Sequence, residues 1–559
     1  MRDARWNRIR SRGLALILIL ACQPVFSDDS IINRIEALQA GHPVTVLNAP
    51  ILAKEALSRF YELRGFDLAW NSYSARRQLA QAISEVADQG LNPLDYHHET
   101  IAALALKPAD EVDEEVRADL DLVLSDAFLL LASHLQAGKV NPRTIHAEWT
   151  ANRQNLETHT LLTQALEAGT VYQSLQQLRP TSAAYQKLVT ARRSLTTLMG
   201  QPWHELAAAP TLRPGDKDPR IPEIRRRLAL LGDIQTAEHE RQDAYDAAFD
   251  SDVYGDQLMS ALPRFQARHG LEPDGIIGRQ TFAALNRLPV ERVRQLDASL
   301  ERWRWLPDDL GDTYVLVNIA GFEMTMVRAG EEILRQRVIV GRPYRQTPVF
   351  SDRIRYLVFN PTWTVPRKLM IQDQLPLIRS DPGYLERMNF KVYRGWGADR
   401  TEVDPATIDW YSLSANNFPY QLVQEPGPMN ALGQIKFMFP NQYDIYLHDT
   451  PGQSLFGRAE RPFSSGCIRV ERPFELAERL LEGNSNWSRA NIDRAIELRD
   501  PVNAMLRTPV PVHLQYWTVW VDQSGVIQFR NDIYGRDQRL IDALRSDPQG
   551  GLMPTPRRP

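Results

Sequence analysis

The sequence predicts a multidomain α+β protein, and three observations predict it. Between about residues 30 and 205, apolar side chains recur at steps of three and four, the period of amphipathic helices. Residues 212–292 form a compact pattern of short amphipathic helices punctuated by glycine turns. From Tyr314 the apolar period changes to two, and 314–318, 322–326 and 336–340 read as strands separated by Gly321, Gly330 and Gly341. A chain of 559 residues, 43% hydrophobic, suffices for three or four domains with real cores. We divide it into a targeting segment (1–27), a helical domain (28–210), a three-helix unit (211–293), a mainly β domain (300–530) and a C-terminal tail (531–559).

Taken in order, Arg2, Arg5, Arg8, Arg10 and Arg12 form a basic n-region, followed by an apolar run at 14–21. That run falls short of the roughly 20 residues of a spanning helix and fits a secretory signal. Val25-Phe26-Ser27 offers a cleavage site; Cys22 offers a lipoprotein-type site, and an uncleaved membrane tether is the third alternative. Cleaved at Ser27, the exported chain holds Cys467 as its single thiol, which excludes an internal disulfide. No CxxC or Cys/His cluster indicates a metal, no cofactor is required, and a net charge of −4 gives no field toward nucleic acid.

In the helical domain, 51–64, 76–89 and 116–136 are amphipathic, with breaks at 90–93, 138–142 and 179–180. The three-helix unit has helices at 221–231 and 262–269 and a third starting at Thr281. Its turn Asp274–Gly278 either favours a carboxylate ligand at a helix N-terminus or merely ends and caps helices. The β domain continues through 356–359, 444–448, 515–521 and 526–529, with a helix at 474–481. Residues 366–424 interrupt it. An insertion of this length reads as a lid, beginning with a helix over 368–379.

The chemistry concentrates in 446–470, YLHDTPGQSLFGRAERPFSSGCIRV. Residues 444–448 alternate like a strand ending at His448, and turn residues lead from there to Cys467, which places imidazole and thiol at facing ends of two elements. A free thiol titrates near about 8.5, and a neighbouring imidazolium lowers it to roughly 3.5–7.5, giving a nucleophile for acyl transfer. Gly466 suits a sharp turn that frees backbone N–H groups for an oxyanion. The bland alternative is a buried, inert cysteine.

YLHDT followed by SSGCIRV resembles the active-site motif of the L,D-transpeptidases of YkuD type, and most closely the large periplasmic members, with Ser465 where smaller relatives have a second histidine. FQARHGLEPDGIIGRQT resembles the small three-helix peptidoglycan-binding domain, and GFDLAW, GLNPLDYH and VNPRTIH are similar to the family's helical scaffold. NPTWTVP and GPMNALGQIKF resemble the flanks of its substrate-capping insertion. The resemblance implies a β-sandwich catalytic core and a periplasmic enzyme acting on peptidoglycan stem peptides as donor and acceptor, beside other cell-wall synthesis proteins. Cys467 would be the nucleophile and His448 its ion-paired base. Tyr446, Gly466 and the Cys467 N–H would serve the oxyanion. Asp449 would orient His448 by its carboxylate or, as we favour, its carbonyl. Arg469 would hold a stem carboxylate or pin the cysteine loop, and Trp363 and Asn430 would be pocket walls or packing. The rivals are a cysteine hydrolase on stem peptides and a non-catalytic peptidoglycan-binding protein. A serine D,D-transpeptidase is excluded, since the chain contains no S-x-x-K.

Overall fold

A computed structural model describes residues 27–108, 112–145, 156–234, 251–307 and 309–548. The segment read as targeting, residues 1–27, lies outside the described residues but for Ser27.

The N-terminal domain has two short strands, β1 (Thr45–Val46) and β2 (Ala49–Pro50), and helices gathered around Glu114–Ala137. That helix is buried on nearly every side, yet carries Asp121 and Asp126. Asp126 Oδ1 accepts the N–H groups of Leu52 and Ala53 at 2.9 and 2.7 Å, and Asp121 accepts from Trp70 N at 2.7 Å and Tyr61 Oη at 2.6 Å. The carboxylates thus satisfy loop ends that an apolar residue would leave unbonded.

The three-helix unit comprises Ile221–Leu230, Asp256–Arg268 and Arg279–Asn286 around Ile224, Leu228, Leu262 and Phe265. Its glycine turn is closed by its own residues. Gly275 N–H donates to Gln266 Oε1 at 2.9 Å, Ile276 N–H to Asp274 Oδ1 at 2.9 Å, and the N–H groups of Ile277 and Gly278 to backbone carbonyls. The donors within the turn are thus engaged, as helix termination requires, while the helix that follows, from Arg279, has no side-chain cap at its N-terminus. His269 leaves the unit and stacks on Phe529 of the β domain, centroids 5.1 Å apart. Its Nδ1 donates to Phe265 O (2.7 Å), so Nε2 accepts from Arg292 (2.7 Å).

Helix Pro289–Arg304 joins the domains. It is buried almost all round because each neighbour uses a different face. Glu301 pairs with Arg304 at 2.7 Å and accepts Val140 N–H at 2.7 Å, while Arg302 Nη1 bonds Asp537 Oδ1 at 2.6 Å.

The β domain contains β3 (Thr313–Asn318), β4 (Glu323–Arg328), β5 (Glu331–Gly341), β6 (Phe350–Phe359), β7 (Trp363–Thr364), β8 (Phe390–Arg394), β9 (Thr401–Glu402), β10 (Tyr420–Gln424), β11 (Ile435–Met438), β12 (Leu447–His448), β13 (Pro462–Ser464), β14 (Ile468–Val470), β15 (Val502–Gln515), β16 (Val519–Val521) and β17 (Ile527–Phe529). Where the resemblance implied a sandwich, a single nine-stranded sheet runs β13-β5-β14-β12-β11-β6-β15-β3-β4 and curls until β4 pairs with β5. One apolar core fills it.

The insertion is a subdomain with its own sheet, β7-β10-β8-β9, and its own core, including Met370, Phe390 and Leu422. The predicted helix over 368–379 is present but interrupted by a π-helical turn, Met370–Gln374. The segment read as a C-terminal tail contains helix Arg536–Arg545, whose Leu540 and Leu544 enter the main core. Its charged sequence hid a narrow apolar stripe. Lys139 of the N-terminal domain ties this end down, donating to Asp95 Oδ2 at 2.7 Å and to the carbonyls of Leu544 (2.8 Å) and Ser546 (2.7 Å).

Candidate active site

Three adjacent strands bring the site residues together. In β11, β12 and β14, Lys436 faces His448 and His448 faces Arg469, while Leu447 faces Ile468. Leu447, Ile468, Ile435 and Phe437 are fully buried in the core. Alternation therefore turns Lys436, His448 and Arg469, with Tyr446 and Cys467 one step earlier, to the opposite face. Ile468 N–H donates to Tyr446 O at 3.1 Å, which sets Cys467 beside Tyr446 and diagonal to His448. Diagonal neighbours in a sheet lie roughly 7–8 Å apart at Cα, within reach for imidazole and thiol.

His448 Nδ1 lies 2.6 Å from Asp449 O. A carbonyl only accepts, so Nδ1 carries the proton and Nε2 is left as a base. The Asp449 carboxylate is occupied elsewhere, accepting from Gln434 N–H (2.9 Å) and Thr450 N–H (2.7 Å). Of the two roles foreseen for Asp449, the carbonyl has the geometry.

The cysteine loop is held by short bonds. Ser464 Oγ donates to Cys467 O at 2.5 Å and accepts Gly466 N–H at 3.1 Å, and Thr347 Oγ1 donates to Gly466 O at 2.7 Å. Gly466 has φ +123°, a conformation that side chains rarely adopt. Its N–H is thus engaged, which removes it from the expected oxyanion donors. Cys467 N–H has no acceptor among the described residues.

Burial acts against the expected thiolate–imidazolium pair. Burial pushes the Cys467 thiol up, against partial opposition from Tyr446 and Lys436. Burial, with the charges of Arg469 and Lys436, pushes His448 down to about 3. Burial thus favours the neutral form of each group, with Cys467 itself half-buried at the cavity wall. Tyr446 is raised well above its ordinary value by burial, and its hydroxyl lies next to the Cys467 sulfur and the Trp363 indole.

A cavity of about 1040 Å³ opens on this face. Cys467, His448, Tyr446, Gly466, Arg469 and Trp363 line it; the insertion contributes its other wall, including Lys368, Asp373 and Tyr384. Asn430 does not line it. It is buried, donating to the carbonyls of Pro361 and Glu425 (both 3.0 Å) and accepting Leu432 N–H (2.8 Å), and so shapes a turn behind the wall.

Three residues were missed from sequence. Lys436 Nζ sits 3.9 Å from the Tyr446 ring centroid; its signal was the two-residue period of β11 within GQIKF. Arg345 grips Asp373 of the insertion with two bonds (2.5 and 2.8 Å) and donates to Ser465 Oγ (2.9 Å). No local pattern announces this strap.

Residues 312–510 match the L,D-transpeptidase catalytic domain (YkuD), residues 55–191 the Scaffold domain, and residues 217–285 the "Putative peptidoglycan binding domain". A protein of Haemophilus influenzae (strain ATCC 51907 / DSM 11121 / KW20 / Rd), named "Putative L,D-transpeptidase", is 37% identical over 267 residues, 47% of this chain and 53% of that protein. The chain thus spans about half the length of this relative. Among solved structures, the L,D-transpeptidase (residues 123–326) of Xylanimonas cellulosilytica DSM 15894 is 14% identical, with 56% of this chain and 100% of that one covered and a TM-score of 0.17. The L,D-transpeptidase of Stackebrandtia nassauensis is 13% identical, with 54% and 94% covered and a TM-score of 0.20.

Proposed function

We propose that this chain, which carries an L,D-transpeptidase catalytic domain beside a scaffold domain and a peptidoglycan-binding-type domain, is a cysteine enzyme that forms 3→3 cross-links between peptidoglycan stems. The observation that carries this reading is the single sheet face shared by Cys467, His448 and Tyr446 inside a capped cavity. With a signal-like N-terminus, the enzyme works in the periplasm, free or tethered to the inner membrane.

Cys467 Sγ attacks the carbonyl carbon of the diamino-acid residue at stem position three, while His448 Nε2 takes the thiol proton. The C–N bond to the terminal D-alanine breaks, the amine leaves with that proton, and a thioester remains. The side-chain amine of a second stem then attacks the thioester carbon and gives its proton to His448. The expelled sulfur recovers that proton. Because thiol and imidazole both start neutral, proton transfer accompanies C–S bond formation, and the Lys436 charge lessens its cost. Cys467 N–H and the Tyr446 hydroxyl serve the oxyanion, each worth about 2.7–4 kcal/mol of barrier. The insertion shields the thioester from water, which favours transfer over hydrolysis.

Intact-mass measurement of the wild type and Cys467→Ala with disaccharide-tetrapeptide tests this. D-alanine loss and cross-linked dimer are expected with the cysteine alone. Free tripeptide acid without dimer would make the enzyme a hydrolase, and unchanged substrate would leave a binding protein.

A further inference from the structure

A buried cation without a counter-ion lies in the joint between the three-helix unit and the β domain. Arg292, on the joining helix, is 1% exposed. Its bonds go to neutral groups alone. Nη1 donates to His269 Nε2 at 2.7 Å and Nη2 to Ala284 O at 2.6 Å, while Nε is buried without a partner. The carboxylates whose charge reaches it are bonded elsewhere: Asp233 accepts from Arg268 Nε at 2.7 Å, and Glu291 from Leu288 N–H at 2.8 Å. A guanidinium is always charged, and a buried charge without an opposite partner is strongly disfavoured.

The cavity beside it repeats the imbalance. It measures about 260 Å³ and is lined by Arg287, Arg292 and Arg530, with no carboxylate in its wall. Arg287, just past the third helix of the unit, is exposed, and its side chain makes no hydrogen bond or ion pair among the described residues. Arg530, just past β17, donates from Nη1 to the carbonyls of Arg268 (3.0 Å) and Phe529 (2.7 Å), which are neutral again. Asn531 in the same wall spends its amide on Glu460 at 2.7 Å. A space of this size lies below the roughly 300–1,000 Å³ of drug-sized ligand sites, so it suits a small group.

We propose that Arg287, Arg292 and Arg530 form an oxyanion site, which takes the carboxylate or phosphate group of a small ligand and thereby fastens the three-helix unit to the β domain. The three arginines come from the unit, the joining helix and the β domain. One oxyanion accepts from several guanidinium donors at once, so it bonds across the whole joint. The site is separate from the Cys467 cavity and shares no lining residue with it.

The test is calorimetric titration and thermal melting of the full-length protein with inorganic phosphate and with acetate, each against chloride at equal ionic strength. Saturable binding in the millimolar range or tighter is expected for at least one of them, and the melting temperature should rise with its saturation. Phosphate alone would assign a phosphate ligand, acetate alone a carboxylate, and both a general oxyanion site. Arg287→Gln is expected to weaken that binding about tenfold, as one charge-assisted hydrogen bond is lost. Arg287→Lys should weaken it less, and melting without either anion checks that both variants fold. Arg342→Gln, in the Cys467 cavity, should leave the affinity unchanged. No saturable binding of either anion overturns the site. So does binding that Arg287→Gln leaves as tight as in the wild type, or that Arg342→Gln weakens instead.

Discussion

At the scale of single residues, the proposed nucleophile is a thiol with a cation nearby. Burial raises Cys467 while Lys436 and Tyr446 pull the other way. Alkylation by iodoacetamide is therefore expected to climb only above the ordinary thiol range near about 8.5, with no plateau at neutral pH. Lys436→Met removes a cation that favours the thiolate, and should move the midpoint up by about one unit. A plateau below pH 7 in the wild type would mark a preformed ion pair instead. Cys467 and His448 were legible because the one cysteine beyond the N-terminal segment and a strand-ending histidine stand in one recognisable string. Lys436 was legible only as a strand position in GQIKF, because its place opposite His448 depends on a register that the two-residue period does not encode. Asn430 stood inside a recognisable segment too, yet motif membership could not tell a wall from the turn behind it.

At the scale of elements, Arg345 links the insertion to the cysteine loop. Arg345 holds Asp373 below the usual carboxylate range. A carboxylate with a lowered folded pKa contributes stability above its unfolded value, about 3.9, and loses it as pH falls through the folded value, so the strap is intact at neutral pH. Asp373→Asn is expected to lower the ratio of dimer to free tripeptide about three- to tenfold, since a loosened cap admits water. The melting temperature should move by no more than a few degrees, as the subdomain keeps its own core. Chromatography of the products checks the first outcome and calorimetry the second. The length of the insertion was visible in the interrupted strand period. Its π-helical turn, which presents Asp373 to Arg345, has no sequence signature comparable to a glycine turn.

At the scale of the molecule, burial lowers His269 between the three-helix unit and the β domain, His448 in the site, and His513 on β15. Each has a folded pKa below the unfolded 6.5. Below that value the unfolded chain binds more protons, and stability falls as pH drops toward the folded values. His269 faces Arg268, Arg292 and Arg530, which all oppose its charging. The melting temperature is expected to be clearly lower at pH 5 than at pH 7.5, and His269→Gln, which keeps an acceptor for Arg292, should shrink that gap. An unchanged gap would remove His269 from the account. The α+β plan was readable from the change of period. Helices Pro289–Arg304 and Arg536–Arg545 were not, because their charged side chains, which sequence assigns to solvent, are spent on each other inside the structure. The Lys139 contacts carry a consequence for biosynthesis. Its ammonium waits for carbonyls at 544 and 546, which leave the ribosome some 400 residues later. During translation the first domain is complete long before its clasp exists, and a nascent chain stopped short of 546 stays unfastened however well each part has folded.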